Sequence, residues 1–241
     1  MRLIDTHSHL FLEEFSEDLP QVIERARSAG ITHIFMPNID STTIDSMLSV
    51  CNTYNDYCFP MIGLHPTSVN ADYEKELEIV ARELKSFNKY IAIGEVGMDL
   101  YWDKTFLKEQ QIVLDKQINW ALEYDLPVVI HCRDAFGYIY NVLEPYKNTS
   151  LKGVFHSFTG TDDEAARILE FSGFLIGING VVTFKKSRLP EVLTKIPLEK
   201  IVLETDSPYL TPVPNRGKRN ESVYVKDTLM KVSDIYRMSP E

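Results

Sequence analysis

The chain has 241 residues, 44% of them hydrophobic and 25% charged, with a formal net charge of −10. That composition suits a globular protein with a full-sized core, and its acidity argues against a broad basic footprint for duplex DNA. No run approaches the ~20 apolar residues of a membrane span, the opening MRLID lacks a secretory apolar region, and three unpatterned cysteines point to reduced thiols in the cytoplasm.

Short, nearly continuous apolar runs alternate with helical patterns along the chain. Residues 3–6 predict a strand that ends in the pair His7 and His9. A helix over 19–29 stops at Gly30, a residue suited to the turn after a helix. Strand 32–36 carries His33 near its start, where a structural role is expected. Helix 42–54 has Ser41 or Thr42 as its cap. Strand 59–64 is followed by His65, and helix 73–85 comes next. Strand 90–94 ends at Glu95 in IAIGEVGMD, with Tyr101 and Trp102 just beyond. After helix 105–124, strand 127–130 ends at His131 in VVIHCRD. Arg133 follows two residues later on the same side, and Cys132 faces the other way. After helix 136–143, strand 153–155 ends at His156 in GVFHSFTG. Helix 162–170 begins in an acid-rich turn, which suits its N-terminus. Strand 174–178 precedes Lys185, Lys186 and Arg188 and a helix over 187–195. Strand 200–203 leads into Glu204 and Asp206 in IVLETDSP. A basic loop with Arg216, Lys218 and Arg219 and a helix over 221–236 complete the series.

Alternating strands and helices imply an α/β fold with parallel strands. Eight such units favour a single-domain (β/α)8 barrel of the TIM type. An open doubly wound sheet is the alternative, but no glycine-rich phosphate loop follows any strand. In a barrel the residues just past each strand share one rim, where active sites form. His7 and His9, two apart on a strand, point to one side, and neutral imidazole is a common ligand for zinc and related metals. With Glu95, His131, His156 and Asp206 they make six candidate ligands, more than one tetrahedral zinc needs. Two ions bridged by a carboxylate use them better. His7, His9, Glu95 and Asp206 are assigned to the first ion, and Glu95, His131 and His156 to the second. Glu204, two residues before Asp206, is expected to hydrogen-bond in a supporting role.

In order along the chain, DTHSHL, GLHP, AIGEVGMD, PVVIHCRDA, GVFHSFTG and ETDSPYLTPVPNRGKRN resemble the motifs of the TatD-like metal-dependent deoxyribonucleases. The resemblance spans residues 4–220. It implies a TIM-type barrel, a divalent-metal centre and hydrolysis of DNA phosphodiester bonds, commonly from the 3′ end of single strands, with RNA as a further substrate. It places the metal ligands on His7, His9, Glu95, His131, His156 and Asp206, and puts His65 beside the substrate phosphate. Ser8 stands where cysteine is frequent and should point away from the metals. Met98 stands where leucine is usual, a packing change. The ending MSPE falls short of the family's last helical segment.

The expected chemistry is attack by a metal-activated water, with Asp206 accepting the water proton and His65 assisting at the phosphate. Arg133 is expected to stabilise phosphate charge. Tyr101, Trp102, Arg216, Lys218 and Arg219 join basic groups to aromatic faces, a combination suited to single-stranded nucleic acid. Histidine-rich ligation suits zinc or manganese, and the resemblance implies that magnesium also supports activity. The expected state is a cytoplasmic monomer with no membrane partner. The rival reading is an amidohydrolase-type esterase or amidase, such as an aminoacyl-tRNA deacylase. Many such enzymes bridge their metals with a modified lysine, and here that strand carries Glu95.

Overall fold

The computed structural model describes residues 2–86 and 89–240. Glu241, the last residue of the MSPE ending, lies outside them. Among the described residues eight parallel strands alternate with eight α-helices: β1 (Leu3–Asp5), α1 (Leu19–Ser28), β2 (Ile31–Pro37), α2 (Ile44–Thr53), β3 (Cys58–Met61), α3 (Tyr73–Ser86), β4 (Ile93–Asp99), α4 (Leu107–Glu123), β5 (Val128–Arg133), α5 (Phe136–Leu143), β6 (Gly153–Phe155), α6 (Asp162–Leu169), β7 (Phe174–Ile178), α7 (Leu189–Leu193), β8 (Ile201–Leu203) and α8 (Val225–Tyr236).

The strands form two ladders, β1-β2-β3 and β4-β5-β6-β7-β8. Two isolated parallel bridges, Ile62 with Ile93 and Ser8 with Ser207, continue the ring between them. At the first junction Gly94 N donates to Ile62 O at 2.8 Å, and Glu95 N donates to Asn38 O at 3.2 Å. At the second, Thr6 N donates to Leu203 O and Asp206 N to His7 O, at 3.2 and 2.9 Å. Side chains stitch this seam as well. The Asp5 carboxylate accepts from Thr205 N at 2.9 Å and from Thr205 Oγ1 at 2.7 Å, and the Ser8 and Ser207 hydroxyls meet at 2.6 Å. Burial pushes the Asp5 carboxyl up to about 7, even against the hydrogen bonds from Ser222 and Thr205 that pull it down. DTHSHL and ETDSP are thus joined to one another across this seam.

β-branched and aromatic side chains form strands here because both strand faces are covered. Ile34, Ile93, Val96, Ile130, Phe155, Phe174 and Ile176 are all buried. The helices lay apolar stripes on this ring, for example Val22, Ile23 and Ala26 of α1.

Several boundaries differ from the sequence expectation. β4 runs Ile93–Asp99, not 90–94, so Glu95 lies inside it. β5 extends through Arg133, so His131 is also within a strand. Gly97, at φ +137°, lets β4 and β5 approach: a Cβ there would sit 2.0 Å from His131 O. The N-cap of α2 is Thr43, not Ser41 or Thr42, and its side chain makes no capping bond to the helix. It accepts instead from Ile39 N and Asp40 N in the preceding loop. α7 is only Leu189–Leu193, with a proline in its first turn. α8 begins at Val225, after a short 3-10 turn at Ser222–Tyr224. His33 sits on β2, its ring nitrogen 2.9 Å from the Thr32 hydroxyl. All three cysteines are free thiols. Among the described residues no helix is long and apolar enough to cross a membrane.

Candidate metal centre

Five imidazoles and two carboxylates converge at the mouth of the barrel, and Glu95 is their hub. Its Oε2 lies 3.1 Å from His7 Nε2 and 3.7 Å from His9 Nε2. Its Oε1 lies 2.8 Å from His131 Nδ1 and 3.3 Å from both His65 Nε2 and His156 Nε2. Asp206 Oδ1 stands on the Oε2 side, 3.8 Å from His7 Nε2 and 3.6 Å from His9 Nε2. Glu95 is 2% exposed.

Local backbone aims these groups. His7 and His9 follow β1 and project together: their Nε2 atoms are 3.3 Å apart. Asp206 adopts the left-handed conformation, at φ 58°, an uncommon state for a residue with a side chain. Its N–H is held by His7 O across the seam, so the turn after β8 is fastened to β1 where the carboxylate must reach its neighbours. His156 stacks on His7 with ring centroids 3.6 Å apart.

Electrostatics follow from burial among opposite partners. Burial alone would raise the Glu95 carboxyl, but His156, His65, His7 and the His131 hydrogen bond hold it well below the usual range. Burial would likewise raise Asp206, and its histidine neighbours pull it down. Burial lowers His7 and His65. His156 is carried well above the ordinary imidazole value by Glu204 and Glu95, against its own burial. Both carboxylates therefore stay ionised at neutral pH.

The donor set fits divalent metal ions. Imidazole nitrogens, freed of their protons where a metal ion takes their place, paired with ionised carboxylates are the chemistry of zinc, manganese and related sites. Three groups have all their ligand atoms within 4.8 Å of one another: His7, His9 and Glu95; His7, His156 and Asp206; and His65, Glu95 and His131. His65 therefore stands among the donors as closely as His156 does. The two Glu95 oxygens face different donor groups, as a bridging carboxylate must.

Two supporting carboxylates stand behind the imidazoles. Asp99 Oδ2 lies 3.0 Å from His131 Nε2 and is itself positioned by α4: Asp99 N donates to Gln110 Oε1 at 3.0 Å. Sequence reading missed Asp99 because it ended the strand at residue 94. Glu95, Gly97 and Asp99 share the two-residue period of one strand face, which is the signal that was available. Glu204 Oε1 lies 3.2 Å from His156 Nδ1 and accepts from Ser157 N at 2.5 Å. Gly177 makes room for it, since a Cβ there would meet Glu204 Oε2 at 2.5 Å. Carboxylates behind metal-binding histidines fix ring orientation and raise ligand basicity.

The centre opens into a cleft of about 640 Å3, bordered by His9, His65, His131, Asp206, Trp102 and Arg133, and also by Tyr209, which sequence reading did not select. The Arg133 guanidinium lies 3.9 Å over the Tyr101 ring and 5.3 Å over Trp102. Tyr101 and Trp102 are 53% and 73% exposed, an aromatic ledge open to solvent. The structure does not bring Arg216, Lys218 and Arg219 to this cleft. Arg219 is held by Asp18 at 2.7 and 2.8 Å and by Glu221 at 3.0 Å, and lies over Phe15. Arg216 donates to Thr211 O and lies over Phe184. The Lys218 carbonyl accepts from Thr211 Oγ1. The two arginines of the basic loop are thus held by their own surroundings.

The profile of TatD-related DNases matches residues 4–241. The chain is 37% identical over 240 residues to the metal-dependent hydrolase YabD of Bacillus subtilis, covering 99% of this chain and 93% of the relative. It is 31% identical to the protein named 3′-5′ ssDNA/RNA exonuclease TatD in Pantoea ananatis, covering 96% of this chain and 91% of that one. The crystal structure of YjjV, a TatD homologue of Escherichia coli, superposes with a TM-score of 0.89 at 30% identity, covering 97% of this chain and 90% of the other. The chain belongs to the TatD-related DNase family.

Proposed function

We propose that the protein is a divalent-metal-dependent hydrolase of DNA phosphodiester bonds, acting as a 3′-5′ exonuclease on single strands, with RNA as a second substrate. One observation carries this reading: buried Glu95 offers one oxygen to His7 and His9 and the other to His131, His65 and His156. The activity named for the Pantoea relative supports the substrate class.

His7, His9 and Asp206 would hold one ion, His131 and His156 the other, with Glu95 between them. Zinc, manganese and magnesium are the candidate ions. When bound, such ions lower the pKa of water to about 7 and neutralise charge on a phosphate. Asp206, ionised and 14% exposed at its side chain, accepts the proton of the attacking water and orients it. His65 lines the cleft and, kept neutral by burial, donates a hydrogen bond to a phosphate oxygen or to the departing one. Asp99 and Glu204 keep His131 and His156 in register. Arg133 places positive charge at the phosphate, and Tyr101 and Trp102 stack the terminal base. Three free cysteines support a cytoplasmic setting.

The test is product analysis of 3′- and 5′-labelled single-stranded DNA and RNA with each metal, beside aminoacyl-tRNA. Stepwise release from the 3′ end, abolished by chelator and restored by metal, is expected. Hydrolysis of aminoacyl-tRNA without strand cleavage would replace this reading.

A further inference from the structure

We infer that a second cavity, walled by the loops after β5, β6 and β7, receives the nucleotide adjoining the scissile bond; this rests on the strand-hydrolase reading above. The cavity measures about 690 Å3, within the ~300–1,000 Å3 range of small-molecule sites. It borders the metal cleft directly, because Cys132, His156, Thr159 and Val181 line both. A strand with its scissile phosphate at Glu95 therefore has two ways out of the mouth. One crosses the Tyr101–Trp102 ledge, and the other enters this cavity.

The cavity has the chemistry of a nucleotide site. Half-buried Phe136 lines it and offers apolar ring surface to a base, with the buried rings of Phe155 and Phe158 packed in the wall behind. Lys186 and Arg188 stand at its edge. Among the described residues Lys186 has no carboxylate within ion-pair distance, and Arg188 only reaches Glu191 at 3.8 Å, with both side chains strongly exposed. Two of the acids lining the cavity are already engaged: Asp162 with Lys195 and Glu164 with Thr161 in the cap of α6. Free cations at the edge of an aromatic pocket, one step from a phosphate-cleaving centre, match a nucleoside and its phosphate.

Gly137 supplies a clean test. It lines the cavity, and a Cβ added there meets no atom within 4 Å. Gly137→Phe therefore introduces a ring at the cavity wall with no clash at its Cβ, and Gly137→Ala serves as the control for folding. Each is assayed with added metal on bis(p-nitrophenyl) phosphate, which has no nucleoside, and on a thymidine hexanucleotide. Gly137→Phe is expected to lose about tenfold or more in kcat/KM on the hexanucleotide, with bis(p-nitrophenyl) phosphate turnover held and Gly137→Ala like the parent on both. The pair Lys186→Ala and Arg188→Ala is expected to raise the hexanucleotide KM and flatten its salt dependence. If Gly137→Phe cleaves the hexanucleotide like the parent, or loses both substrates equally, or if the salt dependence stays unchanged in the double variant, the subsite is overturned while the nuclease reading stands. If the parent cleaves bis(p-nitrophenyl) phosphate but no oligonucleotide, the nuclease reading falls and the subsite with it.

Discussion

Arg133 ends β5 and Arg219 lies in the loop between β8 and α8, and the two cations occupy opposite electrostatic situations. Arg133 follows a candidate metal ligand by two residues, lies over Tyr101 and Trp102, and borders the cleft. Among the described residues it has no carboxylate within ion-pair distance. Arg219 is gripped by Asp18 and Glu221 and anchors the last loop to the start of α1. A cation without a protein counter-charge is available to a phosphate. One already neutralised must break a bidentate pair first. Partnership within the fold, more than loop position, separates substrate-binding charge from structural charge.

That contrast can be broken by experiment. The largest effect belongs to the centre that Arg133 borders and Arg219 does not. Asp206→Asn should lower kcat by about 10²–10⁴-fold with an unchanged melting temperature, read by strand cleavage and calorimetry. Arg133→Ala comes next. It should lower kcat/KM by about 10²-fold and leave stability alone. Trp102→Ala should mainly raise KM, by about 1–3 kcal/mol of lost base stacking. Arg219→Ala should do the reverse of Arg133→Ala: normal kcat/KM, with a loss of about 1 kcal/mol and a melting temperature lower by about 2–4 °C. If Arg219→Ala instead impaired cleavage as strongly as Arg133→Ala, the distinction would fail.

The smallest effect is a pH dependence. Hydrogen bonds from Arg219, and then Arg25, hold the Asp18 carboxyl below its ordinary value. A depressed carboxyl favours the folded state above the unfolded pKa, and that contribution is lost as pH falls through the folded value. The stability difference between the parent and Arg219→Ala should therefore be constant from neutral pH down to about 4 and shrink below it. Thermal melts across that range provide the check.

The alternation of strands and helices was legible because parallel strands buried on both faces read as continuous apolar runs. Six of the site residues, His7, His9, Glu95, His131, His156 and Asp206, stood out because each follows such a run. What stayed hidden depends on partners far apart in the chain. Asp99 was missed because GEVGMD, with two glycines and two acids, reads as a loop, although it forms a strand clamped by β5 and Gln110. Asp5 closes the ring through Thr205, 200 positions away. Arg219 finds Asp18 at a separation of 201. The cavity after β5, β6 and β7 is likewise assembled from three separate loops, and the PVVIHCRDA and GVFHSFTG motifs that two of them carry do not reveal that they meet around a cavity.

The most direct measurement is the number of divalent ions bound per chain in the parent protein and in Glu95→Ala, by elemental analysis after dialysis. A bridging Glu95 predicts that the parent holds a pair of ions and the folded variant at most one, with strand cleavage lost alongside. A variant that keeps both ions and its hydrolytic rate would contradict the account at its centre.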